Sequence, residues 1–285
     1  MFRFDFVDAN EDEKAAAAAP VHHTAAPLSS SSSPTVELDA VRLLRDARSR
    51  APGQALDDEI PALRAAGLRA CAGAHVQAGA VAPVGLATDL IPGVYEGGFK
   101  LWESALDLIE FLRERPEFLN RKHVLELGCG HALPGIFALR NGATALVLHD
   151  FNAEVLESCA ALNVVLNEVD GAGSAVPPVR FFAGSWATAP LAFRDAHFDL
   201  VLASEVLYSE QSSRELAECL CTLFQPRRVG TVLVASKRYY FGVGGCVLRF
   251  REYLLGMRPQ LKIDILASVD DGKSNIRDIL SIEFT

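Results

Sequence analysis

A doubly wound α/β sheet with helices on both faces is the fold this sequence predicts, and three observations predict it. From about residue 85, short apolar runs rich in Val, Ile, Leu and Phe alternate with segments of helical periodicity. The first run ends in Gly128-Cys129-Gly130, the punctuation of a strand feeding a helix. The last two runs flank Asp270-Asp271-Gly272, a turn suited to an antiparallel hairpin that closes the sheet.

The elements follow in order. Residues 1–34 carry an acidic opening, then Ala15 to Ala19, Pro20, Ser29 to Ser33 and Pro34. Such a tail cannot bury enough apolar surface to offset chain entropy and is expected to be disordered. Its His22-His23 pair lacks carboxylate or thiol partners and is not expected to hold a metal. Residues 35–84 are rich in Ala, Gly and Pro, with Val41, Leu43 and Leu44 fitting a short helix. This zone reads as a weakly ordered extension, and residues 85–285 as the folded domain. A helix is predicted over 102–113, with Leu101, Ala105, Leu108, Ile109 and Leu112 on one stripe. Strands are predicted over 123–127, 145–149, 179–183, 198–203 and 231–235, with helices over 133–140, 153–166 and 213–224. A helix over 247–255 and strands over 262–267 and 276–284 complete the set.

Composition limits the functional classes. The chain of 285 residues has 27 Lys+Arg against 36 Asp+Glu, a formal charge of −9. This acidic balance argues against broad binding to a phosphate backbone. No apolar run is long enough to span a bilayer, and the N-terminus lacks a basic region followed by an apolar one, so neither membrane insertion nor secretion is expected. The six cysteines, at 71, 129, 159, 219, 221 and 246, form no C-x-x-C pair and no Cys/His cluster at zinc spacing. They are expected to be reduced, mostly buried thiols, with no metal site.

The chemistry-bearing residues fall at strand ends. Glu126-Leu127-Gly128-Cys129-Gly130 lies where a bare backbone lets a nucleotide-like ligand approach, although a tight turn explains a lone G-x-G equally well. The third glycine of a dinucleotide fingerprint is absent. Asp150, some 20 residues on, suits the two hydroxyls of a ribose, and Asn152 is the better-placed cap for the helix that follows. Together they favour S-adenosylmethionine over NAD. Gly184-Ser185-Trp186 follows the third strand; Trp186 can flank an adenine or merely edge the core. Ser204-Glu205-Val206-Leu207-Tyr208 follows the fourth, where cofactor and substrate should meet, although Ser204 also suits a helix cap. Two further loops, 89–103 and 235–245, mix glycines with aromatics and read as binding loops.

The stretches Asp89-Leu90-Ile91-Pro92-Gly93-Val94-Tyr95-Glu96-Gly97-Gly98, followed by Leu101-Trp102-Glu103, and Ser236-Lys237-Arg238-Tyr239-Tyr240-Phe241-Gly242-Val243-Gly244-Gly245 are far more specific than the glycine loop. With the strand-end segments they resemble the protein-histidine N-methyltransferases of the seven-strand, Rossmann-like, S-adenosylmethionine-dependent class, over roughly residues 85–285. The resemblance implies cofactor contacts at Leu101, Trp102, Glu103, Ser104 and Ala105, at Gly128, at Asp150, Phe151 and Asn152, at Gly184, Ser185 and Trp186, and at Ser204. It departs at Cys246, where a glycine is expected, and at Leu207, where isoleucine is more usual.

The resemblance also implies a protein substrate, a ribosomal protein of the large subunit, and residence in cytoplasm and nucleus; a monomer is the default expectation. Histidine suits methylation at neutral pH, because an imidazole with an ordinary pKa of about 6.5 is mostly neutral, whereas lysine must first lose a proton. Glu205 and Tyr239, on the loop that also carries Tyr240, are the candidates for orienting the acceptor ring. The competing readings are a protein-lysine methyltransferase, since Glu205-x-x-Tyr208 suits that group, and a non-catalytic cofactor-binding module. A nucleic-acid methyltransferase would need an N/D-P-P-Y/W-type element after the fourth strand, which is absent.

Overall fold

The computed structural model describes residues 33–53, 60–71, 94–169, 171, 178–225, 229–242, 244–272 and 274–285. The tail expected over 1–34 lies outside these except for Ser33 and Pro34, and so does the start of the loop at 89–93.

Among the described residues, eight strands form one sheet. They are β1 (Val36–Leu38), β2 (His123–Leu127), β3 (Ala145–Asp150), β4 (Val179–Ala183), β5 (Leu200–Ser204), β6 (Gly230–Lys237), β7 (Lys262–Val269) and β8 (Arg277–Phe284). The order across the sheet is β1-β4-β3-β2-β5-β6-β8-β7. The five strands β4, β3, β2, β5 and β6 are parallel, and β8 and β7 close the sheet as the antiparallel pair expected. The chain winds outward from β2 to β4, then returns to the other side of β2 for β5 and β6. The order therefore reverses between β2 and β5, and in such sheets ligands bind beyond the carboxyl ends of the strands at that reversal.

Alternation along the strands divides the core. Val124, Leu146, Leu148, Phe181, Leu200 and Leu202 face the helices α1 (Ala40–Arg50), α2 (Pro61–Ala65), α3 (Glu103–Glu114), α4 (Leu133–Arg140) and α6 (Ala161–Leu166). Leu125, Leu127, Val147, Val201, Val232 and Val234 face α7 (Ala189–Ala192), α8 (Glu210–Leu223) and α9 (Val247–Met257). Strands covered on both sides read as continuous apolar runs, which is why they were visible in the sequence. The helix expected over 153–166 is interrupted: α5 (Ala153–Val155) passes through a π-helical turn, Leu156–Ala160, before α6. The cap of α8 is Ser209, in a reciprocal capping box with Ser212, and not Ser204.

The fold begins before residue 85. One compact unit runs from Ser31 to Thr285, so the weakly ordered extension drawn over 35–84 does not hold for its described part. β1 pairs antiparallel with β4, Val36 opposite Ala183. Asp39 caps α1, accepting from the N–H of Arg42, and α1 buries Leu43, Leu44 and Ala47. Only three strongly apolar residues make that stripe, too few for a clear period, yet they seal the edge of the larger core. The sheet consequently has eight strands, the seven expected plus this edge.

Candidate active site

A cleft opens at the carboxyl ends of β2, β3, β4 and β5. Of the predicted contacts, Leu101, Trp102, Ala105, Gly128, Asp150, Phe151, Gly184, Ser185, Trp186 and Ser204 line it. Glu103, Ser104 and Asn152 do not. Glu103 pairs with Lys237 at 3.3 Å, Ser104 is buried on α3 behind the cleft wall, and Asn152 secures a loop. Its amide donates to the carbonyl of Val94 at 2.8 Å and accepts from the N–H of Glu96. Asn152 therefore occupies the cap position of α5 without a side-chain capping bond.

The glycines are bare for stated reasons. Gly128 has φ +64°, and a Cβ on it would stand 2.8 Å from Cγ1 of Val206 and 3.5 Å from the ring of Trp186. Gly98 packs so closely that a Cβ would meet Val155 at 2.9 Å and the Asp150 carboxylate at 3.4 Å. Gly184 lines the cleft, but its lack of a side chain is also required by β1: a Cβ there would lie 2.6 Å from Cα of Thr35.

Two carboxyls sit behind the glycine loop. Asp150 accepts from the N–H of Gly130 at 2.9 Å and from that of Asn152 at 3.1 Å, which leaves lone pairs toward the cleft it lines. Burial pushes its pKa up to about 6, against those two N–H groups. Glu126 is fully buried on β2 and accepts from the N–H of Gly135 at 2.8 Å. Its other oxygen has no partner, and burial raises its pKa to about 8.

Glu205 occupies the floor near the reversal. Its backbone is left-handed, φ +56°, an uncommon conformation for a residue with a side chain, and one that marks functional sites. The buried carboxylate accepts from the hydroxyl of Ser104 at 2.6 Å and, in a short bond, from Tyr240, and Lys237 stands 3.9 Å away. Tyr240 also meets Ser236 at 2.9 Å. Burial and the Glu205 charge raise the Tyr240 pKa, so Tyr240 is a donor here and not a base. Tyr239, the residue expected beside Glu205, is 45 % exposed. Its neighbour Tyr240 is the one that meets Glu205, where the 238–246 loop bridges back on itself, Tyr239 against Cys246.

The two glycine-aromatic loops build the walls. Tyr95 stacks on Phe99 at 5.5 Å, and the indole of Trp102 donates to the carbonyl of Gly97 at 3.1 Å. Lys100 lies over the Trp102 ring at 4.1 Å. Glu96 accepts a short hydrogen bond from Tyr208 across the mouth of the cleft. Gly245 rests on residues 207–209, where a Cβ would fall 2.0 Å from the carbonyl of Leu207. Cys246 caps α9, its sulfur 3.4 Å from the N–H of Arg249, so cysteine in the expected glycine position serves the helix start. Glu96, Gly97, Gly98, Lys100 and His131 were not singled out as contacts, although the first four lie on the loop read as a binding loop; Gly130 of the glycine loop and Tyr208, expected at the entrance, also line the cleft.

A reversed parallel sheet, a glycine loop after its first parallel strand and an acid ending the second together define an α/β domain built to hold a nucleotide-like cofactor at the reversal. The structure of SMU.776, named as a methyltransferase and solved with SAH, has this fold; it superposes with a TM-score of 0.50 at 12 % identity, covering 64 % of this chain and 50 % of that one. A family model described as lysine methyltransferase matches residues 93–241, just over half the chain, and the chain belongs to that family. Among its relatives, a histidine protein methyltransferase 1 homolog of Dictyostelium discoideum is 40 % identical over 195 residues, covering 68 % of this chain and 60 % of the relative. The Mus musculus homolog is 38 % identical over 190 residues, covering 59 % and 52 %. Histidine protein methyltransferase 1 of Saccharomyces cerevisiae is 27 % identical over 220 residues, covering 58 % of each chain. The matches thus span between half and three fifths of the relatives' lengths.

Proposed function

We propose that this chain is an S-adenosylmethionine-dependent protein-histidine N-methyltransferase, with a large-subunit ribosomal protein as its substrate. The geometry that carries the reading of a nitrogen acceptor is Glu205, a buried carboxylate fixed by Ser104, Tyr240 and Lys237 at the floor of the cleft. The relatives named as histidine protein methyltransferases support it.

The residues fit the cofactor. Gly128 and Gly130 give a backbone surface that a Cβ would fill, Asp150 has acceptor capacity for ribose hydroxyls, and Phe151 and Trp186 offer flanking faces for an adenine. When bound, S-adenosylmethionine supplies a methyl group on a sulfonium sulfur, open to in-line displacement. The chain has to present the acceptor's lone pair and manage one proton. Glu205 accepts the N–H of the imidazole, which fixes the tautomer and leaves the opposite nitrogen bare for attack. Methylation of that nitrogen, with the sulfur leaving as a neutral thioether, would make the ring cationic; the Glu205 carboxylate would stabilise that charge and offer a route for the departing N–H proton. Tyr240 and Ser104 hold the carboxylate in place, and an imidazole needs no prior deprotonation.

The loop that delivers Tyr240 also exposes Tyr239 and Phe241, the latter at 82 %, which favours a protein over a small metabolite as partner. Local positive charge on that loop does not contribute: Lys237 pairs with Glu103, and Arg238 with Asp278 at 2.7 Å. A ribosomal target implies work in cytoplasm and nucleus, and the chain is proposed to act as a monomer. Among the described residues no helix is long and apolar enough to cross a membrane. The test is to incubate the protein with labelled cofactor and large-subunit ribosomal proteins, then hydrolyse the labelled band. Methylhistidine is expected; methyllysine would refute the acceptor, and label confined to other proteins would refute the substrate.

A further inference from the structure

We infer that Cys71, His131 and Cys159 form a binding site for one zinc ion behind the glycine loop. The three residues come from separate places: the end of the segment after α2, the loop after β2, and the π-helical turn at Leu156–Ala160. No sequence spacing connects them. All three are buried, and their two sulfurs and one imidazole nitrogen lie within 4.8 Å of one another.

The donor chemistry is set by the surroundings. Nε2 of His131 stands 2.9 Å from the carbonyl of Phe99, and a carbonyl can only accept, so Nε2 carries the ring proton. The lone pair is then on Nδ1, 4.0 Å from Sγ of Cys71 and 3.4 Å from the amide nitrogen of Asn163, a long contact that a bound ion would displace. A ligating histidine whose far nitrogen donates to a backbone carbonyl is the usual arrangement around a bound metal. Asn163 steadies two of the three ligands, accepting from the N–H of Cys71 at 2.7 Å and donating to the carbonyl of His131 at 2.9 Å. The π-helical turn that carries Cys159 is a rare distortion, found mostly at functional sites.

Distance and charge favour zinc. Bonds of about 2.3 Å to sulfur and about 2.0 Å to nitrogen set the donors of a tetrahedral zinc roughly 3.5–3.8 Å apart. Starting from 4.8 Å or less, the donors need to draw in by about 1.3 Å at most. Two thiolates balance Zn²⁺ to neutrality, whereas Cu⁺ would leave a net negative charge in a buried place, which is costly. Three protein ligands and one exchangeable position suit zinc, and His131 reaches the cleft, the route of entry. The ion would tie the segment before the sheet to the loop that carries Gly128 and Gly130. Binding would release two thiol protons.

The experiment titrates the reduced full-length chain with Co²⁺ and then displaces it with Zn²⁺. One equivalent of cobalt with a thiolate-to-metal charge-transfer band, displaced by one equivalent of zinc, is expected. Cys71→Ser and Cys159→Ser should each weaken zinc binding by at least about a hundredfold with the circular dichroism unchanged, and Cys246→Ser should leave it intact. In the unaltered protein, zinc should shield Cys71 and Cys159, but not Cys246, from alkylation mapped by mass spectrometry. Absence of a stoichiometric band, unchanged alkylation of Cys71 and Cys159, or uptake of Cu⁺ without uptake of Zn²⁺ would overturn the site.

Discussion

Replacing Glu126 by glutamine should flatten the dependence of stability on pH. Glu126 is fully buried, one oxygen on the N–H of Gly135 and the other without a partner, and its pKa rises from the ordinary 4.5 to about 8. Burial is the main cause, opposed by the Gly135 hydrogen bond and reinforced by the charge of Asp150. A carboxyl whose folded pKa lies above its unfolded value contributes stability that is fully present below pH 4.5 and lost as pH rises through 8. Well below pH 8 each pH unit removes about 1.4 kcal/mol, and the slope halves as the folded carboxyl reaches half ionisation, so the step from pH 6 to pH 8 removes about 2.3 kcal/mol. Glutamine keeps the acceptor for Gly135 and cannot ionise. Urea unfolding of both proteins at pH 6, 7 and 8 gives the difference in stability, and groups common to both cancel. The gap should move by about 2.3 kcal/mol in favour of Glu126→Gln between the end points. Parallel pH profiles for the two proteins would refute a buried, protonated Glu126.

Gly128→Ala should cost about 1–2 kcal/mol of stability from its left-handed backbone and weaken S-adenosylhomocysteine binding at least about tenfold by calorimetry, because its Cβ would press on Val206 and Trp186. Tyr240→Phe removes a donor from a carboxylate, a bond worth about 1.5–3 kcal/mol, and should lower kcat about 10- to 100-fold with cofactor affinity unchanged. Tyr239→Phe should leave kcat unaltered; the opposite ranking in a methylation assay would restore the role to Tyr239. Leu44→Ala should cost about 2–5 kcal/mol in chemical denaturation if α1 belongs to the core, and under about 0.5 kcal/mol if it does not.

What the sequence determined by itself was whatever neighbouring residues decide among themselves. The strands 123–127 and 179–183 and the helix 133–140 were legible to the residue, because strands covered on both faces must be apolar throughout and glycine or proline marks their ends. The glycine loop and Asp150 were legible because a strand-turn-helix unit sets their spacing. Tertiary structure decided the rest. Tyr239 and Tyr240 are chemically almost alike and adjacent, and only the bridge of their loop to Cys246 selects which ring reaches Glu205. β1 and α1 have weak local signals and are held by the β4 edge and the core beneath it, interactions across more than 100 residues. Cys71, His131 and Cys159 acquire a common chemistry only when three distant segments pack together, since no local pattern encodes a convergence that packing alone enforces.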